Sequence, residues 1–443
     1  VIPDDELVDT VTNLIEYPAA VVGRFDDEFL ELPREILITS MRVHQKYFAV
    51  EDLQGNLMPY FVAVNNTKAN DMDLVAKGHE RVLRARLADA QFFFNTDLKN
   101  SLDEKKEKLK SVLFQADLGS MYDKTTRIEK LAVFLAANQS LDEKQTVQIQ
   151  RAAGLCKADL VSHAVVEFPK LQGIMGRVYA LRQNEPANVG TAIEEHYRPT
   201  FAGARLPETI EGAVLSISDK IDSICGCFSI NLIPTGASDP YALRRQANGI
   251  ILIALKNNFS VSLNDLIEKS LQLFDKSDAT ETDLLTEKII DFLKGRMAHL
   301  LEAEGVSKDA VAAVLSVSED NIPTIWKKSH ALQQLKSDPD FEILATAFKR
   351  VVNIIKKADS SETVSQPVNE SLFEHDSESD LYKIFKDINA LVGTHIDNGS
   401  IDKAFSEIAS MRESVDRFFD DVMVMAEDMD IRRNRLALLG QIS

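Results

Sequence analysis

Cys156, Asp159, His163 and Glu167 are the residues whose types and spacing come closest to a metal chemistry in this chain. Thiolate, carboxylate and imidazole are the groups that ligate zinc and similar divalent ions. Separations of three, four and four would stack all four on one face of a helix, where such residues are neighbours. They lie in Arg151–Gly176, RAAGLCKADLVSHAVVEFPKLQGIMG, and a second acidic cluster follows at Ser218-Asp219-Lys220-Ile221-Asp222. The competing reading is the wall of a helical domain, in which Asp159 and Glu167 pair with Lys157, Lys170 or a neighbouring helix. A second thiol pair, Cys225-Gly-Cys227, lacks the two-residue spacer of zinc knuckles and has no partner pair.

Other chemistries are excluded by pattern. There is no strand-GxxxxGK[ST] phosphate loop, no GxGxxG, no GxSxG elbow and no HExxH. The eight histidines are scattered, with no i, i+4 pair. His44 reads as a strand-end residue, and His196 and His375 as loop residues with surface roles. The net charge of −19 and pI near 5.0 weigh against a general nucleic-acid binder, without excluding a local basic surface. A length of 443 residues suggests roughly two to four domains. Apolar residues at 45% and charged residues at 27% are ordinary for a globular protein. No apolar run approaches the roughly 18 residues of a membrane helix. The start, VIPDDELVDT, has neither an initiator Met nor a leader pattern, so the chain is expected to be a piece of a longer cytoplasmic protein. Three cysteines suit a reducing compartment.

The elements that must position these residues are mostly helices. Residues 1–100 mix the two classes: a helix over 6–17, a strand over 19–25, and a hairpin in which 46–50 and 60–64 flank Glu51-Asp-Leu-Gln-Gly-Asn56. The run 78–94 carries Arg81, Arg84 and Arg86. It could be a phosphate-binding stripe, but pairing with Glu80 and Asp89 is the reading taken. Residues 99–110 suit a solvated helix. Residues 118–230 form a central helical block, followed by a loop with Asp239 expected as N-cap and Pro240 at the first helical position. Amphipathic helices fill 246–335, where Trp326 is assigned to packing. Further helices are expected over 341–358, 380–396 and 401–425, with a last one from about Met429 and a loop over 359–379. There is no internal repeat.

These segments also carry a family resemblance. HQKYF (44–48), RLADAQFFFNTD (86–97), LFQADLGSMYDKTTRIEKLA (113–132) and KADLVSHAVVEFPKLQGIMG (157–176) resemble the β subunits of bacterial heterotetrameric glycyl-tRNA synthetases. So do YRPTFAGARLP (197–207), ISDKID (217–222), DPYALRRQANGI (239–250), RVVNI (350–354) and FFDDVMVMAEDMDIRRNRLALL (418–439). The resemblance covers the C-terminal part of that subunit.

It implies a mainly α, multidomain chain with a smaller α+β N-terminal part. Residues 1–115 would be the tail of the body domains. Residues 116–230 would be a degenerate relative of the metal-dependent phosphohydrolases named for their His-Asp pair. Residues 231–339 would be a helical connector, and 340–443 a helical anticodon-binding domain. Glycine and ATP-Mg chemistry would belong to a partner α chain, leaving no cofactor and no catalytic residue on this one. The expected partners are that α subunit and tRNA(Gly), in a heterotetramer of two α and two β chains, with no membrane.

A working His-Asp centre uses an isolated His, an adjacent His-Asp pair and a later Asp. On this sequence those positions fall on Lys124, Cys156-Lys157 and Asp219. A protonated lysine offers no lone pair and brings positive charge where a cation would sit, so no metal is expected. Contact with tRNA is instead expected from Phe348, Lys349, Arg350, Lys356 and Lys357 on one helix, and from Arg432, Arg433 and Arg435 on another. Two alternatives remain: a metal-dependent phosphohydrolase, and a purely structural assembly subunit.

Overall fold

The short apolar runs over 19–25 and 57–65, bounded by turn residues, form a small sheet. The computed structural model describes residues 1–274, 279–317, 320–336, 341–357 and 367–442. Its strands Ala19–Arg24, Phe48–Glu51 and Leu57–Asn65 are antiparallel, with Leu57–Asn65 in the middle. The register runs from Ala19 opposite Asn65 to Arg24 opposite Tyr60, and places Phe48 opposite Val62. The expected hairpin turn is present. The Asp52 carboxylate accepts from the amides of Gln54 and Asn56, and Gly55 takes φ +83°, a region glycine enters without steric cost.

Helices Arg34–Gln45 and Met72–Asp97 cover the sheet and bury Phe25, Ile36, Met41, Phe61, Leu83 and Leu87. His44 therefore lies inside a helix, not at a strand end, because the helix runs on until Lys46 turns it with φ 58°. Arg84 pairs at 2.8 Å with Asp26, before the strand-covering helix, in place of the expected Glu80 or Asp89.

The chain divides into two compact units between Leu293 and Lys294, within the helix Ala279–Ala303. The boundaries expected near 115 and 230 fall inside the first unit, and the one near 339 inside the second. The helical part of the first unit surrounds Ile210–Ser229. That segment is apolar on nearly every side, and all its residues from Glu211 to Phe228 are buried. A helix hydrophobic all round must be enclosed. It is packed by Met121–Asn138, Glu143–Leu155, Ala187–Glu195, Leu243–Asn257 and Leu263–Gln272. Asp219, Lys220 and Asp222 sit on this enclosed helix, so each must find a partner inside the protein.

Two sequence expectations fail here. Arg151–Gly176 is not one helix: Glu143–Leu155 ends just before Cys156, and a 3-10 turn (Ala158–Val161), a short helix (His163–Glu167) and a second turn (Pro169–Leu171) follow. Ser162 caps the short helix, and Pro169 cannot continue it. Cys156, Asp159, His163 and Glu167 thus share no helical face. The second failure is at Asp239. Its carboxylate does hold the amides of Leu243 and Arg244 (2.7 and 3.0 Å), but the helix starts only at Leu243, after Ala242 in a left-handed conformation.

The second unit contains Lys308–Leu315, Ile322–Leu335, Phe341–Lys357, Asp376–Asp397, Ile401–Ser410, Arg412–Asp421 and Met429–Ile442. The stretch 401–425, read as one helix, breaks in two at Met411, a buried residue. Val351, Leu381, Val415, Phe418, Leu436 and Leu439 form the core of its last hundred residues. Trp326 packs as expected, 8% exposed, with its Nε1 donating to Glu304. The chain as described is mainly helical with a small N-terminal sheet region, the class that the sequence predicts. No helix is long and apolar enough to cross a membrane among the described residues.

Candidate functional site

The residues at the hydrolase-like positions come together around one carboxylate. Helix Met121–Asn138 brings in Lys124, the end of Glu143–Leu155 brings in Lys157, and helix Ile210–Ser229 supplies Asp219. Lys124 Nζ lies 2.9 Å from one Asp219 oxygen, and Lys157 Nζ lies 2.7 Å from the other. Lys124 also meets Asp222 at 2.9 Å and the Ser223 hydroxyl at 2.8 Å. Arg127, one helical turn after Lys124, takes the other Asp222 oxygen at 2.6 Å.

All of these side chains are buried. Burial alone would raise the Asp219 carboxyl, but the Lys124 and Lys157 charges hold it well below the usual carboxylate range. The two ammonium groups occupy the space beside Asp219 that a divalent ion would need. They offer no lone pair, so the donor set does not fit a metal.

His196 was read as a surface loop residue, and the structure corrects this: it is fully buried beside Lys157. It follows helix Ala187–Glu195, whose cap turns the ring inward. Its Nδ1 lies 2.6 Å from the Ile193 carbonyl and its Nε2 2.8 Å from Lys157 Nζ. Donation to the carbonyl leaves Nε2 to accept from the lysine, so the ring is neutral. Burial, then the Lys157 charge, hold its pKa well below the ordinary value.

The four residues of the original spacing have separate tasks. The Cys156 thiol is pushed up to about 12 by burial, so it is neither a thiolate ligand nor a nucleophile. His163 Nδ1 meets Asp97 at 2.8 Å, and Glu167 lies 3.6 Å from His44. Asp159 forms no ion pair with a lysine among the described residues. One of its oxygens accepts the amides of Gly173 (2.6 Å) and Gly176 (3.0 Å). Gly173 sits at φ +80°, and a Cβ there would meet the Tyr197 ring at 2.6 Å, so the site needs glycine twice over.

Burial raises the Asp159 carboxyl from 3.8 to about 6, against those two amides. Between these values the folded chain holds a proton that the unfolded chain has lost, so stability falls as pH rises through the window and stays lowered above it. Asp159→Asn removes the ionisation and keeps an oxygen for the glycine amides. The variant should be more stable than the parent at neutral pH by on the order of 1–3 kcal/mol, with the gain vanishing near pH 4. Thermal melts at the two pH values check this, and a gain that did not depend on pH would contradict it.

In the second unit the expected nucleic-acid residues divide. Lys349 and Arg350 are exposed, and the Arg350 guanidinium lies over the Phe419 ring, 4.7 Å from its centre. Arg433 is exposed, 4.0 Å from Asp430, and Arg432 is half-buried. Phe348 is half-buried and packs against the core, so its ring serves the bundle. The side chains of Lys356 and Lys357 lie outside the described residues.

Arg435 departs most from expectation, because it is only 3% exposed. Its guanidinium is held by Glu378 (2.8 and 3.3 Å), by Glu374 (3.0 Å) and by the Met423 carbonyl (3.1 Å). It ties two helices together and has no plane to offer a base. Glu374 and Glu378 are 61 and 57 residues away in sequence, so only contact across the bundle reveals them. Sequence reasoning also missed Arg127, Asp222 and Ser223 as members of the buried cluster. The available signal was charge at 219, 220 and 222 inside an otherwise apolar helix.

Comparison with known proteins bears on the whole chain. Residues 1–316 match a family described as glycyl-tRNA synthetase beta subunit, and residues 344–443 match the DALR anticodon binding domain. The chain is 53% identical over 443 residues to a glycine–tRNA ligase beta subunit of Desulforapulum autotrophicum, and 50% identical over 444 residues to one of Desulfatibacillum aliphaticivorans. A third such subunit, from Geotalea daltonii, is 48% identical over 443 residues. All of this chain is covered in each case, and it spans 64%, 64% and 63% of the respective relatives' lengths.

Proposed function

The chain belongs to the glycyl-tRNA synthetase beta subunit family, and from that premise we propose that it is the tRNA-holding part of a glycine–tRNA ligase. In this reading it holds tRNA(Gly) through its last helical domain. Glycine activation with ATP and Mg²⁺ takes place on a partner α chain, two of each chain assemble, and the complex works in the cytoplasm. Residues 116–230 serve as a helical platform whose former metal position is filled by lysines.

The observation that carries the reading is the exposed Lys349–Arg350 pair within the stretch matching an anticodon-binding domain. Anticodon bases are single-stranded, so they can be splayed out and stacked on an arginine plane or hydrogen-bonded at their edges. The Arg350 guanidinium lies over the Phe419 ring, 4.7 Å from its centre, in a residue that remains exposed. Lys349 supplies a point charge for phosphate. The −19 charge of the whole chain repels nucleic acid elsewhere and confines attraction to such local patches.

Lys349→Glu/Arg350→Glu tests the proposal, since both side chains are exposed and the fold should survive. Affinity for tRNA(Gly) should fall about tenfold to a hundredfold, with the salt slope reduced by about two. Filter binding over a range of salt reads both. Unchanged affinity and slope would overturn the assignment of this surface.

A further inference from the structure

Beside the Asp219 cluster lies a cavity of about 430 Å³ within the first unit. Lys124, Lys157, Lys170, Lys220 and Arg245 line it, against the single carboxylate of Asp219. The excess of positive charge is real after local pairing is counted. Lys124 and Lys157 are answered by Asp219 and Asp222, but Asp222 also takes Arg127, and His196 is neutral. Lys220 forms no ion pair with a carboxylate among the described residues, Asp219 acting on it only at longer range. Its amine is held by the carbonyls of His196 (3.1 Å) and Arg198 (2.9 Å) and by the Ser216 hydroxyl (2.6 Å). Burial pushes its pKa down to about 7. Lys170 and Arg245 are exposed and form no ion pair among the described residues.

Cations gathered in a partly enclosed cavity without matching anions are costly unless something else brings negative charge. A phosphate does so with several strong acceptors, and charge-assisted hydrogen bonds are the strongest kind available there. The size and the remaining walls narrow the ligand further. At about 430 Å³ the cavity is far larger than one phosphate and lies in the range of sites for small organic ligands. Phe114, Tyr197, Pro199, Met121 and Leu160 give it aromatic and apolar surface against which a planar ring can lie.

We propose that this cavity binds a nucleotide, with its phosphate among Lys170, Arg245 and the buried lysines and its base against the apolar wall. The nucleotide is held and not cleaved. The same chemistry could come from a free nucleoside phosphate or from the terminal nucleotide of a bound RNA, and the experiment separates the two.

The test uses this chain and its Lys170→Glu/Arg245→Glu variant, both changes being at exposed side chains. Calorimetric titrations at low salt would use the four nucleoside 5′-monophosphates, inorganic phosphate, and tRNA(Gly) with or without its 3′-terminal nucleotide. If the source is free nucleotide, a monophosphate binds more tightly than inorganic phosphate and loses about tenfold or more in the variant. If the source is RNA, the free nucleotides do not bind. Removing the terminal nucleotide then weakens tRNA binding to the parent chain about tenfold but leaves the variant unaffected. The inference is overturned if inorganic phosphate binds as tightly as every nucleotide. It is also overturned if neither the variant nor the terminal nucleotide changes any affinity. Free-nucleotide binding would stand even if the anticodon surface at Lys349–Arg350 failed its own test.

Discussion

Asp219→Ala should destabilise the first unit by about 3–5 kcal/mol, the usual consequence of removing one partner from a buried ion pair. Among the described residues Asp219 is the only carboxylate that pairs with Lys157, and one of two that pair with Lys124. Without it Lys157 is left with a neutral imidazole and the face of Tyr197, 4.1 Å from the ring centre. Neither balances a full charge excluded from water. Lys124 keeps Asp222, but that carboxylate must also serve Arg127. Asp219→Asn should fall between parent and Ala, because it keeps the shape and an acceptor while losing the charge. Urea unfolding of the full chain, followed by circular dichroism, gives the midpoints. A loss below about 1 kcal/mol, the size of an exposed ion pair, would mean that the cluster is solvated and not a structural replacement for a metal.

The second large effect concerns residues 341–443. Their removal should lower tRNA glycylation by the assembled ligase about a hundredfold or more, because stacking alone contributes about 1–3 kcal/mol per base and phosphate contacts add to it. Glycine-dependent adenylate formation should change little, since in this account it occurs on the α chain. The stretch has a core of its own, built on Val351, Leu381, Phe418 and Leu436, but Ile401–Ser410 also packs against Ile322–Leu335, so the deletion uncovers that helix as well. Retained adenylate formation also shows that the rest of the complex is folded, which separates loss of RNA contact from loss of structure. Equal losses in both reactions would point to an assembly role.

What the sequence disclosed follows from how local each feature is. The hairpin around Gly55 and the last helix from Met429 depend on short-range patterns, and both lie where those patterns put them. The family likewise follows from long motifs in order. The break of Arg151–Gly176 into turns depends instead on Asp159 reaching two glycine amides 14 and 17 residues later, which no helical spacing reports. Arg435 looked like an RNA contact because basic residues cluster at 432, 433 and 435. Its burial is set by Glu378, 57 residues earlier, and only the packed bundle shows it. His196 was misplaced for the same reason, since a loop between helices reads as surface until its neighbours close over it. The lysines at 124 and 157 were legible as substitutions, but their joint grip on Asp219 was not.

Equilibrium binding of tRNA(Gly) to the full α–β assembly, with and without residues 341–443 and over a range of salt, decides whether these residues hold the RNA. Affinity should fall by about two orders of magnitude on deletion and the salt dependence should become shallower, as phosphate contacts are lost. Unchanged affinity and slope after deletion would contradict it, and would place the RNA-holding surface elsewhere on the complex.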